Sequence, residues 1–265
     1  MLKYLDMSEW QTKVDYATAS KGLDGVILRA GYGQNHEDKM FEKHYEGFHR
    51  VCVPIGIYWF SYAKTPEEAK KEAQYCLDAI KHLEIALPIA YDFEYASVEN
   101  AKNLGVKVTK SLATAMAEAF LSTIEKAGYY AMLYTSPNFK QTYFDDSLKK
   151  YDLWLANYFT NPDLSKPPQS CGIWQYNKIA WDGVAGEVDG NVAYHDYEAV
   201  IKKAGLNHLN DPKDPAIDWA TGCGLLLKDE IDVAATKGDI ARMLYEYHFQ
   251  STEEDPRSLS GLLGG

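Results

Sequence analysis

The stretch Ile85-Ala86-Leu87-Pro88-Ile89-Ala90-Tyr91-Asp92-Phe93-Glu94-Tyr95 is an apolar run that ends in two acids separated by one residue. A short apolar run of this kind reads as a buried strand, which the stretch Leu87 to Phe93 would form. In a strand, residues i and i+2 point to the same side, so Asp92 and Glu94 share one face at the strand's C-terminal end. Two carboxyls so close repel, and the more enclosed of the two should hold its proton near neutral pH. The pair therefore offers a general acid beside a carboxylate. Like charges on one apolar strand end point to a functional site rather than to a turn.

Outward from this strand, the first 200 residues alternate short β-like runs with amphipathic helical stretches, the pattern of a parallel sheet built from βα units. Further strands are expected at Leu2 to Met7, Gly25 to Ala30, Pro54 to Phe60, Tyr130 to Tyr134, Leu153 to Tyr158 and Ile173 to Tyr176. A helix should start after Thr65-Pro66-Glu67-Glu68, with a Thr cap, Pro in the first turn and acids at the positive dipole end, and run to about His82. Another, Ser111 to Lys126, should end at Gly128. Seven or eight strands with helices between the first ones predict an α/β fold, a closed or nearly closed barrel whose chemistry sits at the C-terminal edge of the strands. At that edge Asp6 ends the first strand, and Asp189 lies in Glu187-Val188-Asp189-Gly190-Asn191, where a last short strand would close the barrel. Acids from three strands would then converge on one cleft.

Composition narrows the chemistry. The chain has 265 residues and 29.9 kDa, with 46% hydrophobic and 25% charged residues, enough apolar material for a large core. Its 20 Tyr, 9 Phe and 6 Trp include rings beside polar groups, as in Tyr91-Asp92 and Trp174-Gln175-Tyr176, an arrangement that suits sugar faces and hydroxyls. A formal charge of −11 and a pI of about 5.1 argue against nucleic-acid binding, which needs a basic stripe. Cys52, Cys76, Cys171 and Cys223 form no CxxC or Cys/His ligand spacing and read as free thiols. No apolar run approaches membrane-spanning length, and Met1-Leu2-Lys3-Tyr4-Leu5-Asp6 has no signal-peptide pattern. Synthesis in the cytoplasm without a Sec signal is expected, so a role at a bacterial wall requires another exit route.

Carboxylates grouped in this way serve glycoside hydrolysis, in which one carboxyl protonates the leaving oxygen while another attacks, activates water or supports a substrate group. Taken together, Tyr4-Leu5-Asp6-Met7-Ser8-Glu9-Trp10-Gln11, Tyr91-Asp92-Phe93-Glu94, Leu153-Trp154-Leu155-Ala156-Asn157-Tyr158, Ile173-Trp174-Gln175-Tyr176 and Val188-Asp189-Gly190-Asn191 resemble the glycoside hydrolase family 25 muramidases, or Chalaropsis-type lysozymes, over about residues 1 to 200. The resemblance implies a modified TIM-like (β/α) barrel with terminal antiparallel strands. It implies cleavage of the β-1,4 bond from N-acetylmuramic acid to N-acetylglucosamine in bacterial peptidoglycan, without metal or cofactor. Carried over, Glu94 would be the general acid, Asp92 the nucleophile or the group that orients the substrate's N-acetyl group, and Asp6 and Asp189 supporting acids. The family usually has an apolar residue where Gly190 stands, and Asp182 after Trp181 is the alternative to Asp189. Arg29, Tyr62, Tyr134, Trp154 and Gln175 are candidate substrate contacts in the same cleft. An origin as a phage or prophage endolysin fits, as does leaderless export from a bacterium.

The Asn-, Asp- and Pro-rich segment from Leu206 to Pro215 reads as a linker, which divides the chain into a barrel (1–206), a linker (207–216) and a small, mostly helical C-terminal piece (217–265). That piece, with Ile217-Asp218-Trp219-Ala220 and an amphipathic stretch from Thr236 to Phe249, is faintly similar to one surface-layer-homology repeat. It would serve wall binding or self-association into a homo-oligomer, or be a structural remnant. Two other functional classes compete with hydrolysis. One is a catalytically silent barrel that holds glycans. The other is a metal-dependent hydrolase using Asp6, Asp92, Glu94 and His195, for which the chain has no HxH or HExxH spacing.

Overall fold

A computed structural model gives the architecture, and it describes residues 1–209. Nine strands run β1 (Leu2–Met7), β2 (Gly25–Tyr32), β3 (His36–Glu37), β4 (Ile55–Phe60), β5 (Ile89–Asp92), β6 (Ala131–Thr135), β7 (Asp152–Ala156), β8 (Ile173–Ala180) and β9 (Glu187–Ala193) among the described residues. The helices are α1 (Tyr16–Ala19), α2 (Phe41–Arg50), α3 (Pro66–Ile80), α4 (Tyr95–Asn103), α5 (Lys110–Lys126), α6 (Pro137–Tyr143) and α7 (Tyr197–Ala204). From β1 through β2, β4, β5, β6 and β7 to β8 every neighbour pair is parallel. β9 then runs antiparallel to both β8 and β1 and closes the ring, while β3 extends β2 outside it. The expected barrel with a terminal antiparallel strand is present.

Alternation along the strands divides the core in two. Tyr4, Ile27, Ala90, Met132, Tyr134, Trp154, Ile173 and Ala193 fill the barrel interior, and Leu5, Val26, Leu28, Ile57, Trp59, Ile89, Tyr91 and Leu133 face the helices. α3 begins as the sequence predicts: Thr65 Oγ1 accepts the Glu68 N–H at 3.2 Å, and Pro66 occupies the first turn. α5 ends before Gly128, whose φ of +84° is open to glycine at little cost. Between β7 and β8 no helix forms among the described residues, and β8 and β9 are a hairpin.

Residues 207–209, where the expected linker starts, belong to the compact unit that contains the barrel. Asn207 is buried there, with Nδ2 donating to the Ile85 and Leu87 carbonyls at 3.0 and 2.9 Å and Oδ1 accepting the Tyr130 N–H at 2.7 Å. Its amide thus satisfies backbone groups at the N-terminal end of the barrel. Residues 210–216 of the expected linker, the piece 217–265 and Cys223 lie outside the described residues. Of the cysteines within them, Cys52, Cys76 and Cys171 are free thiols. No helix among the described residues is long and apolar enough to cross a membrane.

Candidate active site

The four acids singled out in the sequence line one cleft of about 620 Å³ at the C-terminal edge of the parallel strands. Asp6 stands near the end of β1 and Asp92 at the end of β5. The backbone stays extended through Glu94 (φ −129°, ψ −174°), which caps α4. Two residues past the strand, Glu94 therefore keeps the inward side of Asp92, and its N–H is held by the Ser97 hydroxyl at 3.2 Å. Asp189 is directly opposite Asp6 in the β1–β9 register, on the same inner face. Tyr58, Tyr134 and Trp154 form the floor, with Trp154 in edge contact with both tyrosines at centroid separations of 5.9 and 4.7 Å.

A hydrogen-bond network fixes the acids. Asp6 Oδ2 accepts from Gln175 Nε2 at 2.9 Å and from Asn191 Nδ2 at 2.8 Å. Asn191 Oδ1 in turn accepts the Trp154 indole N–H at 2.8 Å. Gln175 Oε1 lies 3.0 Å from both the Tyr134 and the Tyr158 hydroxyls, and Tyr158 also reaches Asp189 Oδ1 at 2.9 Å. Asp92, buried like Asp6, has one oxygen, Oδ1, without a hydrogen-bond partner.

Burial is the first cause that raises each of the four carboxyls above the ordinary range. At Asp6 the Asp189 charge adds to it, and the two amide donors oppose it. Asp92 is raised further by Glu94 and Asp6, against the pull of Arg29. For Glu94 the Tyr134 hydroxyl favours the anion and Asp189 the acid. The more enclosed member of the central pair is Asp92; Glu94 is half-buried and open to the cleft.

The candidate contacts divide. Tyr134, Trp154, Gln175 and Arg29 line the cleft. Arg29 is already held, Nε by Asp38 at 2.6 Å and an Nη by Glu9 at 2.8 Å, so it forms part of the wall and its charge faces Asp92. Tyr62 is not among the lining residues; β4 ends at Phe60, the chain turns, and the ring packs against Phe60, Tyr32 and Gly33. Asp182 is exposed in the β8–β9 turn and takes no part, whereas Asp189 does. Gly190 is buried, and a Cβ there would come within 2.7 Å of Ile179 Cδ1 and 2.9 Å of the Tyr176 hydroxyl, which explains the missing side chain. The lining residues not singled out from the sequence include Tyr58, Trp10, Tyr158 and Lys178. Trp10 is 77% exposed at the cleft mouth, an aromatic face open to solvent. The signal for Tyr58 is its alternation with Phe60; Tyr158 and Trp10, which lie in loops, are legible only as members of the motifs that carry the family resemblance.

Among the described residues no three His, Cys, Asp or Glu side chains are grouped so as to hold a metal ion, and His195 lies away from the cleft acids beside Tyr197.

A sequence profile of glycosyl hydrolases family 25 matches residues 5–182. The autolytic lysozyme of Clostridium acetobutylicum is 24% identical over 192 residues, 71% of this chain and 54% of that protein. The chain thus spans about half the length of the curated relative it matches. Among solved structures, the modular autolysin LytC from Streptococcus pneumoniae, crystallised with a synthetic peptidoglycan ligand, superposes with a TM-score of 0.62 at 27% identity, covering 73% of this chain and 46% of that one. The catalytic domain of an endolysin from bacteriophage P40 of Listeria monocytogenes gives 0.63 at 23% identity, covering 76% and 97%. The latter likeness is one of fold.

Proposed function

Because the chain belongs to the glycosyl hydrolases of family 25, we propose that it is a muramidase that cuts the β-1,4 bond from N-acetylmuramic acid to N-acetylglucosamine in bacterial peptidoglycan. The observation that carries this reading is the convergence of Asp6, Asp92, Glu94 and Asp189 in one aromatic-walled cleft. Although Asp92 is the more enclosed, Glu94, raised by burial and open to the cleft where the leaving oxygen would lie, is the general acid that protonates it. The unpartnered Oδ1 of Asp92 is an acceptor for the N–H of a 2-acetamido group. That supports the branch in which Asp92 orients the acetamido group and its oxygen attacks the anomeric carbon, rather than the branch in which Asp92 attacks. Asp6 and Asp189 are the supporting acids around the positive charge that develops on the sugar. The likeness to autolysins and endolysins supports action at the cell wall, after release from the cell that makes the protein; a phage or prophage endolysin is the origin we favour.

Purified Gram-positive walls exposed to the wild type and to Glu94→Gln test the reading. The wild type clears the walls and frees muramic-acid reducing ends, while the folded variant loses at least a hundredfold in rate. If both bind walls and neither cuts, the barrel is a glycan-holding module.

A further inference from the structure

Outside the cleft, one buried acid is left unused by this chemistry. Glu72 lies on the apolar stripe of α3 with Ala69, Ala73, Cys76 and Ile80, and its side chain is wholly buried. Its Oε1 accepts the Tyr62 N–H at 3.1 Å and Gln34 Nε2 at 3.3 Å. Oε2 has no partner, nor has the buried Tyr91 hydroxyl, and the fully buried Ser61 hydroxyl lies against both side chains.

The two segments that Glu72 joins lead directly to the cleft. Ser61 donates its N–H to the Asp92 carbonyl at 2.7 Å, and Gly33 donates its N–H to the Phe60 carbonyl at 2.9 Å. Phe60, a cleft residue, is the register partner of Asp92. The Trp59 indole closes the knot on the Gly33 carbonyl at 3.2 Å. The turns after β2 and β4 are thus tied to each other and to Asp92, with Glu72 as the side chain that spans them.

We propose that Glu72, as a neutral carboxylic acid, is a positioning residue for the reaction, clasping the turns after β2 and β4 so that Asp92 and Phe60 keep their places in the cleft. Its neutrality follows from its surroundings. The charged and titratable groups around it are Glu68 on its own helix and Tyr91 on β5, and Glu68 is itself paired with Lys64 of the turn after β4 at 3.4 Å. An ionised carboxylate without a cation is costly in such a place. Burial pushes Glu72 up to about 7, against the Ser61, Tyr62 and Gln34 donors. In the acid form Oε2–H is a donor facing Ser61 and Tyr91, and the clasp loosens when that proton leaves.

Two variants of the full chain test this. Glu72→Gln keeps an acceptor for Tyr62 and a donor toward Ser61 and Tyr91, and never ionises; Glu72→Leu keeps bulk alone. At pH 6 we expect Glu72→Gln to hold kcat on walls within about twofold of wild type, and Glu72→Leu to lose about tenfold in kcat with little change in KM. From pH 6 to pH 9 the ratio of Glu72→Gln to wild-type kcat should rise by at least threefold. Amide exchange of residues 59–63 should quicken about tenfold in Glu72→Leu and stay at the wild-type rate in Glu72→Gln. The proposal rests on the muramidase reading for its kinetic arms only. A wild type that binds walls without cutting them overturns that reading, and the exchange rates still decide the clasp. Wild-type kcat in folded Glu72→Leu, a Glu72→Gln as damaged as Glu72→Leu, or a ratio that stays flat with pH would overturn the role of Glu72. Should Glu72→Leu not fold, the pH ratio and exchange of Glu72→Gln decide alone.

Discussion

Asp6 shows how a single carboxylate is controlled. Two amides converge on its Oδ2, from Gln175 on β8 and Asn191 on β9, and each amide is itself oriented by an aromatic donor, Tyr134 or Tyr158 on the first and Trp154 on the second. Removing one such donor exposes the full cost of a buried acid. For Asn191→Ala, which removes one of the two amide donors from the buried Asp6 at a cost of about 1–3 kcal/mol, we expect kcat/KM to fall roughly ten- to a hundredfold. Steady-state kinetics on soluble glycan fragments would check it, and an unchanged value would remove Asp6 from the working site. The acids were legible residue by residue because alternation is a local rule: Asp92 and Glu94, or Asp189 and Asn191, are two apart in extended chain. Tyr62 falls outside the cleft lining because the alternation of Tyr58 and Phe60 stops where the strand does. Glu72 was visible in principle as one charge in the stripe of Ala69, Ala73, Cys76 and Ile80, but its partners come from turns whose course no local pattern fixes.

The elements carry the next share of the information. Strand positions were readable to within a few residues, because apolar runs between turn formers have few other uses in a chain of this composition. The pairing of β9 with both β1 and β8 depends on register, and so does the meeting of Asp6 with Asp189. That register has a local anchor. β8 shifts register between Gln175 and Asn177, and the Tyr176 hydroxyl fills the space over Gly190. A methyl group at 190 would overpack this hairpin. Gly190→Ala should therefore cost about 1–3 kcal/mol, read as a lower denaturation midpoint, with a larger fractional loss of activity as Asp189 shifts. A variant as stable as the wild type would show that the hairpin gives way cheaply.

For the molecule as a whole, the buried acids set the response to pH. Asp6, Asp92, Glu94, Asp189 and Glu72 all have folded-state values above their ordinary ones, with Asp6 pushed up to about 8 and Glu72 to about 7. The folded chain then binds more protons than the unfolded chain wherever these groups titrate, so the stability they contribute is complete below about pH 4 and is lost as pH rises through the folded values. Asp15, Asp145 and Asp163 are shifted downward by hydrogen bonds at the surface and act in the opposite sense, in acid. We expect Tm to fall between pH 5 and pH 8, and Asp92→Asn to flatten that fall; calorimetry across the range decides it. A Tm that rises toward pH 8 would mean that these carboxyls are ionised in the fold.

The closure of the barrel by β9 also sets when the centre comes into being. Asp6 waits for Gln175, 169 residues on, and for Asn191, 185 residues on. A chain emerging from the ribosome has made every strand up to β7 before the first partner of its first acid arrives, and a chain clipped in the turn between β8 and β9 loses Asn191 again. Under the muramidase reading, that order of events is a safeguard: an unfinished copy is an unarmed one.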